Sequence, residues 1–329
     1  MLTRDSFRHF SRLTLLLMLA LPCCWAQRPA EPAPPPPEEA PAPDTNTVIS
    51  GYTIQRDVNL VVLRVSVVDA KGQFVPGLKV DNFRLFEDGV EQKIDVLRQE
   101  DAPVSMGLLI DNSGSMRDKR PNVNVAALTF VRTSNPEDEV FVAHFNELYS
   151  FDLDKPFTSD ISELGKALEH TESRGATALY DAILNSLDRF KSGYNSKKVL
   201  LIVSDGEDNS SHNNLEATLD RLKHSNVMIY AVGLFHDEEP KSAETARKAL
   251  TAITQATGGA AYFPESSQEV ADICTQIAYD IRHQYTVGYY PTKPADRSFR
   301  TVRVEVKPPA GMGPLSIRTR TGYFAARND

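Results

Sequence analysis

Two carboxylates and three hydroxyls hold the chemistry this chain offers. Asp111-Asn112-Ser113-Gly114-Ser115 follows the apolar run Val104 to Ile110, and Ser204-Asp205-Gly206-Glu207-Asp208 comes directly after the run Val199 to Val203. Thr177 lies in Gly175-Ala176-Thr177-Ala178-Leu179, at the start of a helical pattern. Asp111, Ser113, Ser115, Thr177 and Asp205 are hard oxygen donors with no His or Cys among them, a set that suits Mg2+, then Mn2+ or Ca2+. The spacing Asp-x-Ser-x-Ser sets its side chains on one side of a tight loop, and Gly114 lets the backbone turn. Neutral hydroxyls quench little of a divalent charge, and Mg2+ takes six oxygens. Three hydroxyls, with waters oriented by the two aspartates, leave one position open, for which a partner's exposed Asp or Glu is the natural ligand. Asn112, Gly175, Ala176, Gly206 and Glu207 stand beside that corner as candidate partner contacts. Singly, each motif has an ordinary reading as a turn or a helix N-cap. Their order, each at a strand end or helix start, points to a metal.

The elements that must position these residues lie in 101–290. Val104 to Ile110, Val140 to Phe145, Val199 to Val203 and Val227 to Val232 are near-continuous apolar runs, as in strands buried on both faces of a parallel sheet. Helical spacing occupies 118–133, 161–171, 177–190, 214–224, 242–257 and 267–284. Strands alternating with helices predict an α/β, doubly wound, mostly parallel sheet. Such sheets bind ligands at the carboxyl ends of their strands, where both aspartates fall. On either side the rhythm is that of β-structure. Asn59 to Val68, Phe83 to Glu87 and Gln92 to Leu97 read as strands, with turns at Asp69-Ala70-Lys71-Gly72 and Asp88-Gly89. Thr301 to Lys307 alternates strictly, and Leu315 to Phe324 is strand-like. Residues 48–100 and 291–325 are therefore expected to pair into one discontinuous β-sandwich, with the α/β region inserted between its halves.

Residues 104–288 resemble the von Willebrand factor type A domain. Asp111, Ser113 and Ser115 match the first part of that family's metal-ion-dependent adhesion site, Thr177 the second and Asp205 the third. The resemblance implies a Rossmann-like fold, one Mg2+ or Mn2+ at the top of the sheet and cation-dependent protein binding. The arrangement, with Asp81-x-Phe-x-Leu-x-Glu-Asp-Gly89 upstream, is also similar to bacterial secreted proteins with a type A-related domain, often seen in Acidobacteria.

Charge and composition narrow the partners. With 36 Lys and Arg against 44 Asp and Glu, the net charge of −8 leaves no basic surplus for nucleic-acid phosphates. Three cysteines support neither a disulfide scaffold nor a thiolate zinc site. Residues 1–26 read as a secretory signal, with Arg4, Arg8 and Arg12 ahead of the apolar Leu13 to Leu21 and a cleavage position after Ala26. A lipoprotein anchor at Cys23 or Cys24 is the alternative. The eight prolines of 27–44 make 27–47 a semi-rigid linker. Export to the periplasm, the cell envelope or the medium follows from this reading. Cys274 then remains as a buried small hydrophobe. His144, inside an apolar run, reads as a core histidine. Asp208, Asp237, Glu238 and Glu239 read as solvated loop charges, and the basic residues of 299–307 as the exposed face of a strand. Tyr285, Tyr289 and Tyr290 read as packing residues at the domain junction. A binding module is expected rather than an enzyme. The competing readings are an envelope component with a stabilising metal, and a metal-assisted hydrolase with Glu207 as its base.

Overall fold

The computed structural model describes residues 60–325, except 100, 134, 152, 154, 170–172 and 237. The signal, lipoprotein and proline-rich readings concern residues outside this range, as do those of Asp237 and the first part of the 48–100 segment. Among the described residues no helix is long and apolar enough to cross a membrane.

The apolar runs of the middle region form a six-stranded sheet. Its strands are β5 (Val104–Asp111), β6 (Glu139–Phe145), β7 (Tyr149–Phe151), β8 (Lys197–Ser204), β9 (Val227–Gly233) and β10 (Ala261–Tyr262), in the order β10-β9-β8-β5-β6-β7. All pairings are parallel except β6 with β7. Every residue of β5, β6 and β9 is buried, so both faces must be covered. Helices α1 (Arg120–Arg132), α2 (Ile161–Glu169) and α6 (Val270–Arg282) pack apolar side chains on one face. Helices α3 (Leu179–Arg189), α4 (Leu215–Lys223) and α5 (Pro240–Thr257) cover the other. The chain leaves β5 to build β6 and β7 on one side, then returns to place β8 on the other. The direction of winding thus reverses at β5, the position where doubly wound sheets open a crevice.

The flanks build two antiparallel sheets. One has the order β13-β1-β11-β4, from β1 (Val61–Val68), β4 (Val96–Gln99), β11 (Tyr285–Tyr289) and β13 (Ser316–Arg318). The other has the order β14-β12-β2-β3, from β2 (Phe83–Glu87), β3 (Val90–Gln92), β12 (Phe299–Val306) and β14 (Gly322–Phe324). Leu63, Val65 and Val67 of β1, Leu85 of β2, Val287 of β11, and Val302 and Val304 of β12 share one core. Both sheets draw strands from before and after the α/β region.

Several local expectations are corrected here. The alternation of 92–97 predicts one strand, but the chain changes sheets there and β3 and β4 lie in different ones. The same happens between β13 and β14. Tyr285–Tyr289, on the α/β side of the boundary drawn at 290, is an inner strand of a flanking sheet. Its Tyr285 hydroxyl donates to Val75 O at 2.8 Å and accepts from Leu78 N at 3.0 Å. Tyr290 is exposed rather than packed. Arg300 is buried instead of lying on a solvated face. Being two and four residues from Val302 and Val304, it shares their inward side of the strand. Its guanidinium meets the Glu87 carboxylate at 3.1 Å, and Glu87 also accepts from Tyr289 and Tyr323 hydroxyls at 2.7 and 2.6 Å. Cys274 is buried in α6, as expected, and burial pushes its thiol up to about 12.

Candidate metal centre

Strand register explains how the first aspartate is held. β5 and β8 pair in parallel with Ile110 opposite Val203, so the next residues, Asp111 and Ser204, leave the sheet side by side. The Ser204 hydroxyl donates to Asp111 Oδ2 at 2.6 Å, and the backbone N–H of Ser113 donates to Oδ1 at 2.8 Å. Both Asp111 and Asp205 are fully buried. Burial pushes the Asp111 carboxyl up to about 6; the hydrogen bonds from Ser204 and Ser113 oppose this, and the Asp205 charge adds to it.

Three loops converge above these strand ends. The Ser115 hydroxyl donates to Asp205 Oδ1 at 2.8 Å, joining the first loop to the third. Gly114 N donates to Gly175 O at 3.2 Å, joining the first to the second. The Thr177 hydroxyl oxygen lies 3.4 Å from the place a Cβ on Gly206 would take, and Thr177 N donates to Asn209 Oδ1 at 2.9 Å. The structure thus brings Asp111, Ser113, Ser115, Thr177 and Asp205 to one end of the sheet. Ser113 and Ser115 hydroxyl oxygens are 3.2 Å apart. Adjacent ligands of an octahedral Mg2+ with bonds near 2.0–2.1 Å stand about 2.9 Å apart, so the pair is spaced close to what one ion requires. Because the Ser115 proton points to Asp205, its lone pairs are left for a cation. The donor set therefore fits a hard divalent ion. Among the described residues no group of three or more His, Cys, Asp or Glu is arranged to hold a metal. This set has two carboxylates, with hydroxyls as its other donors.

The candidate partner contacts divide. Gly114, Ser115 and Gly175 are exposed at the mouth, and Ala176, Gly206 and Glu207 are half-buried around it. Asn112 departs from the expectation. It is buried, its side-chain oxygen accepts from the Ser173 hydroxyl at 3.1 Å, and its carbonyl accepts from Arg174 N at 2.9 Å. It ties the first loop to the second instead of facing outward.

Lys119 and Glu147, at this end, were not singled out by the sequence. Lys119 Nζ donates to Asp205 Oδ2 at 2.6 Å, with both side chains buried. Glu147, in the turn between β6 and β7, accepts from Ala176 N at 3.1 Å beside Gly175, whose φ of +81° favours glycine. Asp208 is no free loop charge: it accepts from Tyr180 N at 3.0 Å at the start of α3 and from the Ser211 hydroxyl at 2.6 Å. Glu239 likewise caps α5 through Lys241 N and Ser242 N. His144 is a core residue, as expected, with Nε2 3.1 Å from an Arg120 nitrogen. A Ser or Asp at a loop could have hinted at capping; nothing in the local sequence marks Lys119.

Residues 106–276, just over half of the chain, match the family model described as the von Willebrand factor type A domain. The chain belongs to that family. Among solved structures, this type A protein is similar to a von Willebrand factor type A protein from Catenulispora acidiphila, at 13% identity over 73% of each chain with a TM-score of 0.49. It is also similar to the vWF domain of the type V pili tip protein Mfa5 from Porphyromonas gingivalis, at 11% identity over 55% of this chain and 95% of that one, TM-score 0.46. The PilB minor pilin from Streptococcus sanguinis shows 12% identity over 56% of this chain and 62% of its own, TM-score 0.45. No curated protein matches the chain.

Proposed function

We propose that this type A protein is an exported, metal-dependent protein-interaction module. Asp111, Ser113, Ser115, Thr177 and Asp205 hold one Mg2+ or Mn2+, directly or through water, and a partner's exposed Asp or Glu completes the shell. The bound ion supplies positive charge and one exchangeable coordination position facing solvent. The chain's own groups do the rest. Asp111 and Asp205 accept hydrogen bonds from Ser204 and Ser115, fixing the hydroxyl rotors. Gly114 and Gly175 leave the mouth without side chains, so an acidic side chain can enter. Ala176, Gly206 and Glu207 form its rim. The 3.2 Å separation of the Ser113 and Ser115 hydroxyls, beside two buried carboxylates, is the observation that carries this reading. The signal-like residues 1–26 support export.

The test is a pulldown from envelope extract with full-length protein, in Mg2+ and in EDTA, with wild type and Asp111→Ala. A partner retained in Mg2+ and lost both in EDTA and with the variant is expected. Equal retention in EDTA contradicts the proposal.

A further inference from the structure

Lys119 occupies a position that local rules disfavour. It is the N-cap of α1, where Ser, Thr, Asp or Asn is preferred, and its side chain makes no capping bond. A cation there also faces the positive end of the helix dipole. Its side chain is nonetheless buried, with the ammonium 2.6 Å from Asp205 Oδ2 and 3.4 Å from Leu234 O, just beyond β9. Asp205 is buried completely, and its other oxygen accepts from Ser115 at 2.8 Å. A long cationic side chain that reaches from the start of α1 to the third loop, against its own helix's field, is placed there by the carboxylate.

We propose that Lys119 is the resident counter-ion of the metal site: it holds the third loop on the first when no divalent ion is bound, and lowers the site's affinity for that ion in exchange for net positive charge once it is bound. This rests on the reading of the five oxygen donors as a metal site. The charge count supports it. Asp111 and Asp205 contribute −2 and a divalent ion +2, so without Lys119 the loaded cage is neutral. With the ammonium in place it carries +1, a surplus that favours an anionic side chain at the open corner. The same ammonium repels the incoming cation across a buried, low-dielectric space. In the metal-free protein it offsets the desolvation of Asp205, which would otherwise stand beside Asp111 uncompensated.

The two consequences act in the same direction when Lys119 is removed. Lys119→Met keeps the length of the side chain and deletes the charge. The metal-free protein loses a buried partner, and the metal-bound protein loses a repulsion, so Mg2+ binds more tightly on both counts. A residue that merely spaced the loops would show the opposite, because its loss would misplace Asp205 and weaken the ion.

The experiment is calorimetric titration of Mg2+ into metal-stripped full-length wild type, Lys119→Met, Lys119→Arg and Asp111→Ala, with melting temperatures in Mg2+ and EDTA. The expected result is an affinity at least about tenfold higher for Lys119→Met than for wild type. Its melting temperature should fall in EDTA and its gap between Mg2+ and EDTA should widen. Lys119→Arg, which keeps the charge, should stay near wild type. A wild-type affinity equal to or higher than that of Lys119→Met overturns the counter-ion role and leaves the metal site standing. No binding in any of the four proteins overturns both. If Lys119→Met does not fold, Lys119→Gln takes its place, and the same comparison decides.

Discussion

At the scale of single residues, the candidate site is a set of oxygen-bearing side chains held by buried neighbours: Ser204 on Asp111, and Ser115 and Lys119 on Asp205. Of the five oxygen donors, four are read from their types and their places after apolar runs and Thr177 from its place at a helix start, and the fold brings them to one end of the sheet. Ser204 heads the third segment but drew no role from the sequence, because it closes a strand; it fixes the Asp111 carboxylate. Lys119 and Arg300 escaped because charged residues in polar surroundings read as solvated; both are buried in ion pairs. The parity of Arg300 with Val302 and Val304 was a usable signal, since a strand face is set by even spacing. Lys197, on β8, gives a residue-scale prediction. Burial pushes its ammonium down to about 7, with the Arg64 and Arg282 charges acting the same way and Asp101 and Asp138 opposing. Its folded-state value lies below its unfolded one. The cost to the fold is therefore absent above about pH 10.5, grows as pH falls, and is complete below about 7. Lys197→Met is expected to be roughly 2–4 kcal/mol more stable than wild type at pH 6, with the gain disappearing near pH 10.5. Urea unfolding at both pH values measures it, and an equal difference at the two would count against it.

At the scale of elements, the α-helices of the described residues, α1 to α6, were legible from the spacing of apolar residues, because each must cover a sheet that is buried on both faces. The short pieces were not. β7 and β10 span three and two residues, too few for any period to show. The change of sheet between β3 and β4 falls within six residues, too few for the sequence to mark two separate strands. Close backbone approach was hidden as well. Gly258, at φ +86°, ends α5, and a Cβ on Gly259 would lie 1.9 Å from Ile229 O of β9. Gly259→Ala is expected to cost about 3 kcal/mol or more, because backbone must move to admit it. That corresponds to a fall of roughly 6–12 °C in Tm. Gly313→Ala, with nothing within 4 Å, is the neutral control in the same thermal scans. Similar melting of the two variants would show that the β9 contact yields easily.

At the scale of the whole molecule, the flanking sheets and the α/β body are joined by buried polar contacts. Arg318 of β13 meets Asp280 of α6 at 2.9 Å, and Tyr262 of β10 donates to the same carboxylate at 3.2 Å. Gln284 Nε2 reaches Ser66 Oγ of β1 at 3.1 Å and Tyr230 Oη of β9 at 3.3 Å. His224 stacks on Phe324 with ring centroids 3.7 Å apart. β11 follows α6 after two residues, so the last helix of one part leads straight into an inner strand of the other. The change of rhythm near 101 was visible in the sequence, but not that this strand would cross over. One cooperative unfolding transition is expected for residues 60–325. Arg318→Ala should leave Asp280 buried without its cation and lower stability by about 3–5 kcal/mol, still in a single transition. Differential scanning calorimetry would contradict this by resolving two peaks.

The site itself joins these scales. Parallel register sets Asp111 beside Ser204, and the reversal of winding at β5 falls at the same strand. Direct titration of Mg2+ into metal-stripped full-length protein, followed by calorimetry, tests the central claim. One ion per chain, with binding abolished in Asp111→Ala and native circular dichroism retained, is the expected result. No binding to wild type, or equal binding to the variant, would contradict it.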